Sequence, residues 1–249
     1  MRHKLITMAM EFANEVHKAH MYSPTQPYVK HLENVYNILL RYGCNPLNKD
    51  QLEILVSSWL HDCMEDTATS YNDVKKVFGE SIAEIVYCLT DELGRNRKEK
   101  KEKTYPKIRS NWKSIIVKVA DRIANYEQSL SEQSEASFSQ MYKKEYEEFK
   151  RQLCGPEYIT TGNKSLDECN WILAQLWNRL DELNSMETLS RKSVSFITPS
   201  GRKITALMSS ACTDEIKISE KEYDEIISAM QSKAVSMSCR PTAGCGGEW

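Results

Sequence analysis

The run Trp59-Leu60-His61-Asp62-Cys63-Met64-Glu65-Asp66-Thr67 sets five side chains that bind metal or carry protons within six positions: His61, Asp62, Cys63, Glu65 and Asp66. An imidazole among carboxylates suits a borderline or hard divalent ion such as Mn²⁺, Fe²⁺, Zn²⁺ or Mg²⁺, and no thiol pair competes as a ligand set. Upstream, Leu52, Leu55, Val56, Trp59 and Leu60 recur at helical spacing. The run therefore closes a core helix whose cap is Asn48 or Asp50. If that helix continues, Glu65 stands four residues beyond His61 and Asp66 four beyond Asp62, so the two pairs line neighbouring stripes of one surface. Taken alone, such a helix end is more often solvated surface than a ligand set.

Two further blocks change that balance: Pro27-Tyr28-Val29-Lys30-His31-Leu32 upstream and Lys118-Val119-Ala120-Asp121-Arg122-Ile123-Ala124-Asn125 downstream. With all three blocks, the chain resembles the HD-domain metal-dependent phosphohydrolases. More narrowly, it resembles the hydrolase domain of the RelA/SpoT alarmone enzymes and their stand-alone small relatives. A His-Asp pair with a distant Asp is shared by the whole superfamily, whereas Glu65-Asp66-Thr67, Phe78-Gly79 and Pro27-Tyr28-x-x-His31 narrow the match. The resemblance implies a mostly α fold, an HD-domain helical bundle. It implies His31, His61, Asp62 and Asp121 as ligands of one divalent ion, Mn²⁺, with Glu65 and Asp66 as the catalytic acids that position or activate water. Asn125 is implied as a substrate contact. The implied reaction removes the 3′-pyrophosphate of guanosine tetra- or pentaphosphate, the alarmones of the stringent response.

Two departures bear on the substrate. The alarmone enzymes carry an Arg-Lys pair shortly before the Pro-Tyr, where this chain has Met21-Tyr22-Ser23-Pro24, and Ala124 replaces a bulkier residue before the Asn. Tyr22 is a candidate base-stacking contact in place of the missing pair, or an ordinary core or surface tyrosine. The dense basic run Arg95 to Lys103, with Arg95 and Lys98, is either an electropositive rim for a polyphosphate or a solvated loop or helix turn. The alternatives to an alarmone hydrolase are an HD phosphohydrolase for another nucleotide or phosphorylated cofactor, such as a dNTP or NADPH, and a metal-binding regulatory module. The module has no need of Glu65 and Asp66.

Composition agrees with a small-molecule enzyme. The chain has 249 residues, 41% of them hydrophobic, and a formal net charge of -2. The absence of a basic excess argues against bulk nucleic-acid binding. Eight cysteines without a Cys-x-x-Cys pair read as reduced thiols of a cytoplasmic protein. The N-terminal stretch is too interrupted for a signal peptide, and no segment is apolar enough for a membrane span. Nothing in the sequence sets an oligomeric state.

The elements that must position these groups follow from periodicity. Residues 3–20 give a first amphipathic helix, in which His17 and His20 read as surface or capping histidines. Pro27 opens a second helix stopped at Gly43. Helices follow over 72–78, 81–93, 111–130, 141–153 and 166–189, with 131–139 a loop. Residues 1–189 form the phosphohydrolase domain and 190–231 a small appendage, in which strands at 193–198 and 203–208 make a hairpin and the capping box Ser219-x-x-Glu222 opens a helix. Residues 232–249, rich in Ser, Gly and Cys, read as a disordered tail.

Overall fold

The computed structural model describes residues 2–131, 136–155, 164–185, 192–197 and 203–208. The chain divides into two compact units, Met1–Thr188 and Leu189–Trp249. The first is helical. It runs α1 (Arg2–Val16), a two-stranded turn of β1 (Met21–Ser23) and β2 (Gln26–Pro27), α2 (Val29–Arg41), α3 (Lys49–Leu60), the one-turn α4 (Cys63–Asp66), α5 (Tyr71–Phe78), α6 (Glu80–Leu89), α7 (Arg97–Arg109), α8 (Trp112–Ser131), α9 (Ala136–Leu153) and α10 (Lys164–Ser185).

Helix α3 is the axis of this unit. Asn48 caps it, its side chain accepting from the backbone N–H groups of Asp50 and Gln51. From Gln51 to Leu60 every residue is buried. One side, with Ile54 and Leu55, joins a core with Ile115, Ile116 and Ile123 of α8. The other, with Leu52, Val56, Trp59 and Leu60, packs among Ala9 and Ala13 of α1 and Val86 of α6. Each fully buried Leu or Ile contributes roughly 1.5–3 kcal/mol. The acid within this helix, Glu53, is matched by Lys113 at 2.5 Å and the Ser81 hydroxyl at 2.6 Å, as a buried charge requires.

Several boundaries differ from the sequence expectation. Pro27 lies in β2 and α2 begins at Val29, because Met21–Ser23 and Gln26–Pro27 pair antiparallel before the chain turns into the helix. Helix α6 stops at Leu89 rather than 93, which frees the Asp91 N–H for Glu65 and leaves Leu93 exposed. Most of the basic run, from Arg97 on, is the Asn96-capped start of α7, the helix-turn alternative for that run, while α9 begins at Ala136, inside the stretch read as loop. Between α5 and α6, Gly79 holds φ 88°, a left-handed conformation open to glycine.

In the second unit, β3 (Lys192–Ile197) pairs antiparallel with β4 (Lys203–Met208), in register from Lys192↔Met208 to Ile197↔Lys203. The helix expected from Ser219 and the tail expected at 232–249 lie outside the described residues.

Candidate active site

Three separate core elements converge on one cluster. His31 comes from the first turn of α2, His61 and Asp62 from the junction between α3 and α4, and Asp121 from the middle of α8. His31 Nε2 lies 3.2 Å from Asp121 Oδ1 and 3.8 Å from Asp62 Oδ2. His61 Nε2 lies 2.9 Å from Asp62 Oδ2 and 3.8 Å from Asp121 Oδ1. Among the described residues, His31, His61 and Asp121 form a cluster able to hold a metal, their ligating atoms all within 4.8 Å of one another.

The residues fit an ion for a specific reason. His61 Nδ1 faces the Ser58 carbonyl at 2.8 Å, and when it donates there the Nε2 lone pair is directed at the carboxylates. That buried Nε2 makes no hydrogen bond, although Asp62 is close. A buried imidazole nitrogen that faces two acids without a well-aligned hydrogen bond is an arrangement that a proton or a metal cation completes. With no cation there, burial opposes the imidazolium, but Asp62, Asp121 and the Ser58 carbonyl outweigh it and raise the His61 pKa to about 9. Burial also opposes both carboxylates; His61 holds Asp62 well below its usual range, and Lys118, 2.9 Å from Asp121, does the same there.

A ring of further contacts fixes these ligands. The Tyr28 hydroxyl donates to Asp62 Oδ2 at 2.6 Å. Asn125 Nδ2 donates to Asp121 Oδ1 at 2.5 Å, while its Oδ1 accepts from the Tyr22 hydroxyl at 2.9 Å. Tyr22 lies flat on His31, with ring centroids 5.1 Å apart and planes 5° from parallel. It therefore supports a candidate ligand, with one ring face against His31. Buried His17 in turn stacks on Tyr28 at 4.9 Å, a core position rather than the surface or capping role read from the sequence.

The cluster opens into a cleft of about 260 Å³ whose lining includes His31, Asp62, Asp121, Asn125, Glu65 and Asp66. The helix does not continue unbroken from His61. It breaks at His61 and Asp62 and resumes as α4, with the Asp66 N–H bonded to the Asp62 carbonyl at 2.9 Å. Glu65 is held by the Asp91 N–H at 2.9 Å. Partial desolvation raises the Glu65 and Asp66 carboxyls above their usual values, and Asp62 adds to the rise in Asp66. Carboxylates made more basic in this way are suited to accept a proton from water.

The expected basic rim divides in two. Arg95 and Lys98 point to solvent, 89% and 86% exposed, beside Glu99 and Glu102, and neither lines the cleft. Arg97 and Lys101, from the same run, do line it, together with Lys118 and Arg122. Helical spacing explains the split, since Arg97 and Lys101 are one turn apart on one face of α7. Tyr28 is a contributor the sequence motifs did not single out, and so is Glu145 of α9, which lies behind the cleft lining and accepts from Arg97, Lys101 and Arg122. Tyr28 had a signal, its place in Pro27-Tyr28-x-x-His31; Glu145 sits in a charge-rich helix with none.

Comparison with known proteins places these motifs in context. The model of the HD domain family matches residues 9–149. A guanosine-3′,5′-bis(diphosphate) 3′-pyrophosphohydrolase of Aquifex aeolicus is 31% identical over 125 residues, covering 48% of this chain and 17% of that protein. The enzyme of that name called MESH1 from Drosophila melanogaster is 33% identical over 100 residues, covering 40% of this chain and 54% of MESH1. The chain thus spans about half or less of the length of these relatives. A solved structure of a metazoan ortholog of SpoT, described as hydrolysing ppGpp, shares the fold with a TM-score of 0.54 at 21% identity, covering 71% of this chain and 95% of that one.

Proposed function

The chain belongs to the HD-domain family, and from that premise we propose that it is a metal-dependent phosphohydrolase that removes the 3′-pyrophosphate of guanosine tetra- or pentaphosphate. The observation that carries this reading is the unbonded Nε2 of buried His61, facing Asp62 and Asp121 beside His31, at one end of a cleft that also contains Glu65 and Asp66. His31, His61, Asp62 and Asp121 would hold one divalent ion, Mn²⁺. When bound, such an ion polarises a phosphoryl oxygen and lowers the pKa of water.

The remaining work falls to the chain's own residues. Glu65 and Asp66 orient a water and accept its proton as the oxygen forms a bond to phosphorus. The bond between that phosphorus and the ribose 3′ oxygen breaks, the 3′ oxygen takes up a proton, and pyrophosphate leaves. Lys118 and Asn125 keep Asp121 in place. Arg97, Lys101 and Arg122, on the lining of the cleft, suit a substrate with several phosphates. The two relatives compared carry this activity in their names.

A second reading, hydrolysis of another nucleotide or phosphorylated cofactor such as a dNTP or NADPH, draws on Tyr22. It stands where the alarmone enzymes carry their Arg-Lys pair, and it is engaged with His31 and Asn125. A panel of guanosine tetraphosphate, dNTPs and NADPH incubated with purified Mn²⁺-loaded protein tests the choice. The proposal expects guanosine tetraphosphate to be cleaved with the highest kcat/KM. Turnover of a different member alone transfers the assignment to the second reading, and turnover of none refutes both.

A further inference from the structure

Three cations from two helices meet at a single acid. Arg97 of α7 places Nε 2.6 Å from Glu145 Oε1 and Nη2 3.2 Å from Oε2. Lys101, one turn on, reaches Oε2 at 2.9 Å, and Arg122 of α8 reaches it at 3.2 Å. Against three cations there is one carboxylate, a surplus of two positive charges if Lys101 is protonated. Burial, with Arg122 and Arg97 beside it, lowers the Lys101 pKa to about 7, so the cluster has room for more negative charge than Glu145 supplies. Arg122 is fixed from behind, its guanidinium over the Tyr142 and Phe149 rings at 4.8 and 4.5 Å. All three cations line the same cleft as the metal cluster, and guanidinium and ammonium groups keep donors beyond those spent on one acid.

We infer that Glu145 is a positioning residue that gathers Arg97, Lys101 and Arg122 into a phosphate-binding platform on the wall of the cleft, receiving the phosphate chain that the metal cluster does not hold. This rests on the phosphohydrolase reading above for its substrate, but anion binding by the platform does not require turnover. Without the carboxylate the three like charges repel and the long Arg97 and Lys101 side chains disperse into solvent. With it, they present a fixed array matched to a multiply charged anion. The competing view is that the four residues are a structural knot joining α7, α8 and α9.

The test uses the full chain, first stripped of metal with inorganic pyrophosphate as the probe in calorimetry, then Mn²⁺-loaded with the best substrate of the panel. Glu145→Gln, which keeps shape and removes charge, is expected to weaken pyrophosphate binding about ten-fold or more. It should also raise KM by a similar factor, leave kcat within about two-fold, and flatten the dependence of KM on salt. Glu145→Asp should recover part of the loss. Arg97→Gln, on a half-exposed side chain, should weaken binding about five-fold with a melting temperature near that of the wild type, while Lys98→Gln should change nothing. Loss of thermal stability with unchanged pyrophosphate affinity and KM in Glu145→Gln would establish the knot and overturn the platform. So would tighter binding, which would make Glu145 a competitor of the ligand. Platform-dependent pyrophosphate binding without any nucleotide turnover would refute the proposed activity and leave this inference standing.

Discussion

Replacing Tyr28 with Phe removes one oxygen and leaves the ring on His17. That oxygen donates to Asp62 Oδ2 at 2.6 Å from a part-buried position, the geometry of a strong bond to an ionised acceptor. A hydrogen bond to a charged group contributes about 1.5–3 kcal/mol. Loss of a residue that orients a metal ligand typically weakens metal affinity about 10- to 100-fold, or about 1.4–2.7 kcal/mol, so the two estimates agree. Tyr28→Phe should therefore bind Mn²⁺ about 10- to 100-fold more weakly, measured by competition with a chromogenic chelator. Because the same bond stands in the metal-free protein, the melting temperature without metal should also fall, by roughly 3–12 °C at about 2–4 °C per kcal/mol. Affinity within about two-fold of wild type would show that Asp62 needs no help from Tyr28, and would refute the claim that this contact prepares the ligand.

Glu65→Gln and Asp66→Asn should retain the ion and lose about 10²- to 10⁴-fold in kcat; wild-type turnover in both would make the acids structural. Burial lowers the His17 pKa from 6.5 to about 4, so the unfolded chain binds more protons between those values. Its contribution is complete above about pH 6.5 and is lost as pH falls toward 4, by up to about 3 kcal/mol. Denaturant midpoints of His17→Phe against wild type should converge or cross over that window, and parallel pH profiles would contradict the assignment.

How much of this was legible in the sequence depends on the range over which each signal acts. The Asn48 cap, the apolar periodicity of α3 and α8 and the hairpin strands are local patterns, and the chain forms them close to where they were expected. The cluster of His31, His61, Asp62 and Asp121 was legible because each residue sits in a short block of its own. The stop of α6 at Leu89 was not, since apolar spacing continues to Leu93 while the Asp91 N–H beyond the helix end bonds Glu65, 26 residues away in the chain. The basic run showed its charge but not its facing: only the fold separates Arg97 and Lys101, on the cleft, from Arg95 and Lys98, in solvent. Glu145 gathers partners from 23 to 48 residues away, a relation that periodicity does not encode.

The central claim is that a single divalent ion, held by His31, His61, Asp62 and Asp121, makes this chain a hydrolase of guanosine tetraphosphate. It is tested most directly by stripping the protein with a chelator and titrating Mn²⁺ back while following pyrophosphate release. The account predicts no activity at first, a rise that saturates at one ion per chain, and no recovery in His61→Ala or Asp121→Ala at the same Mn²⁺ concentration. Full pyrophosphate release from the stripped protein, or unimpaired recovery in both variants, would contradict it.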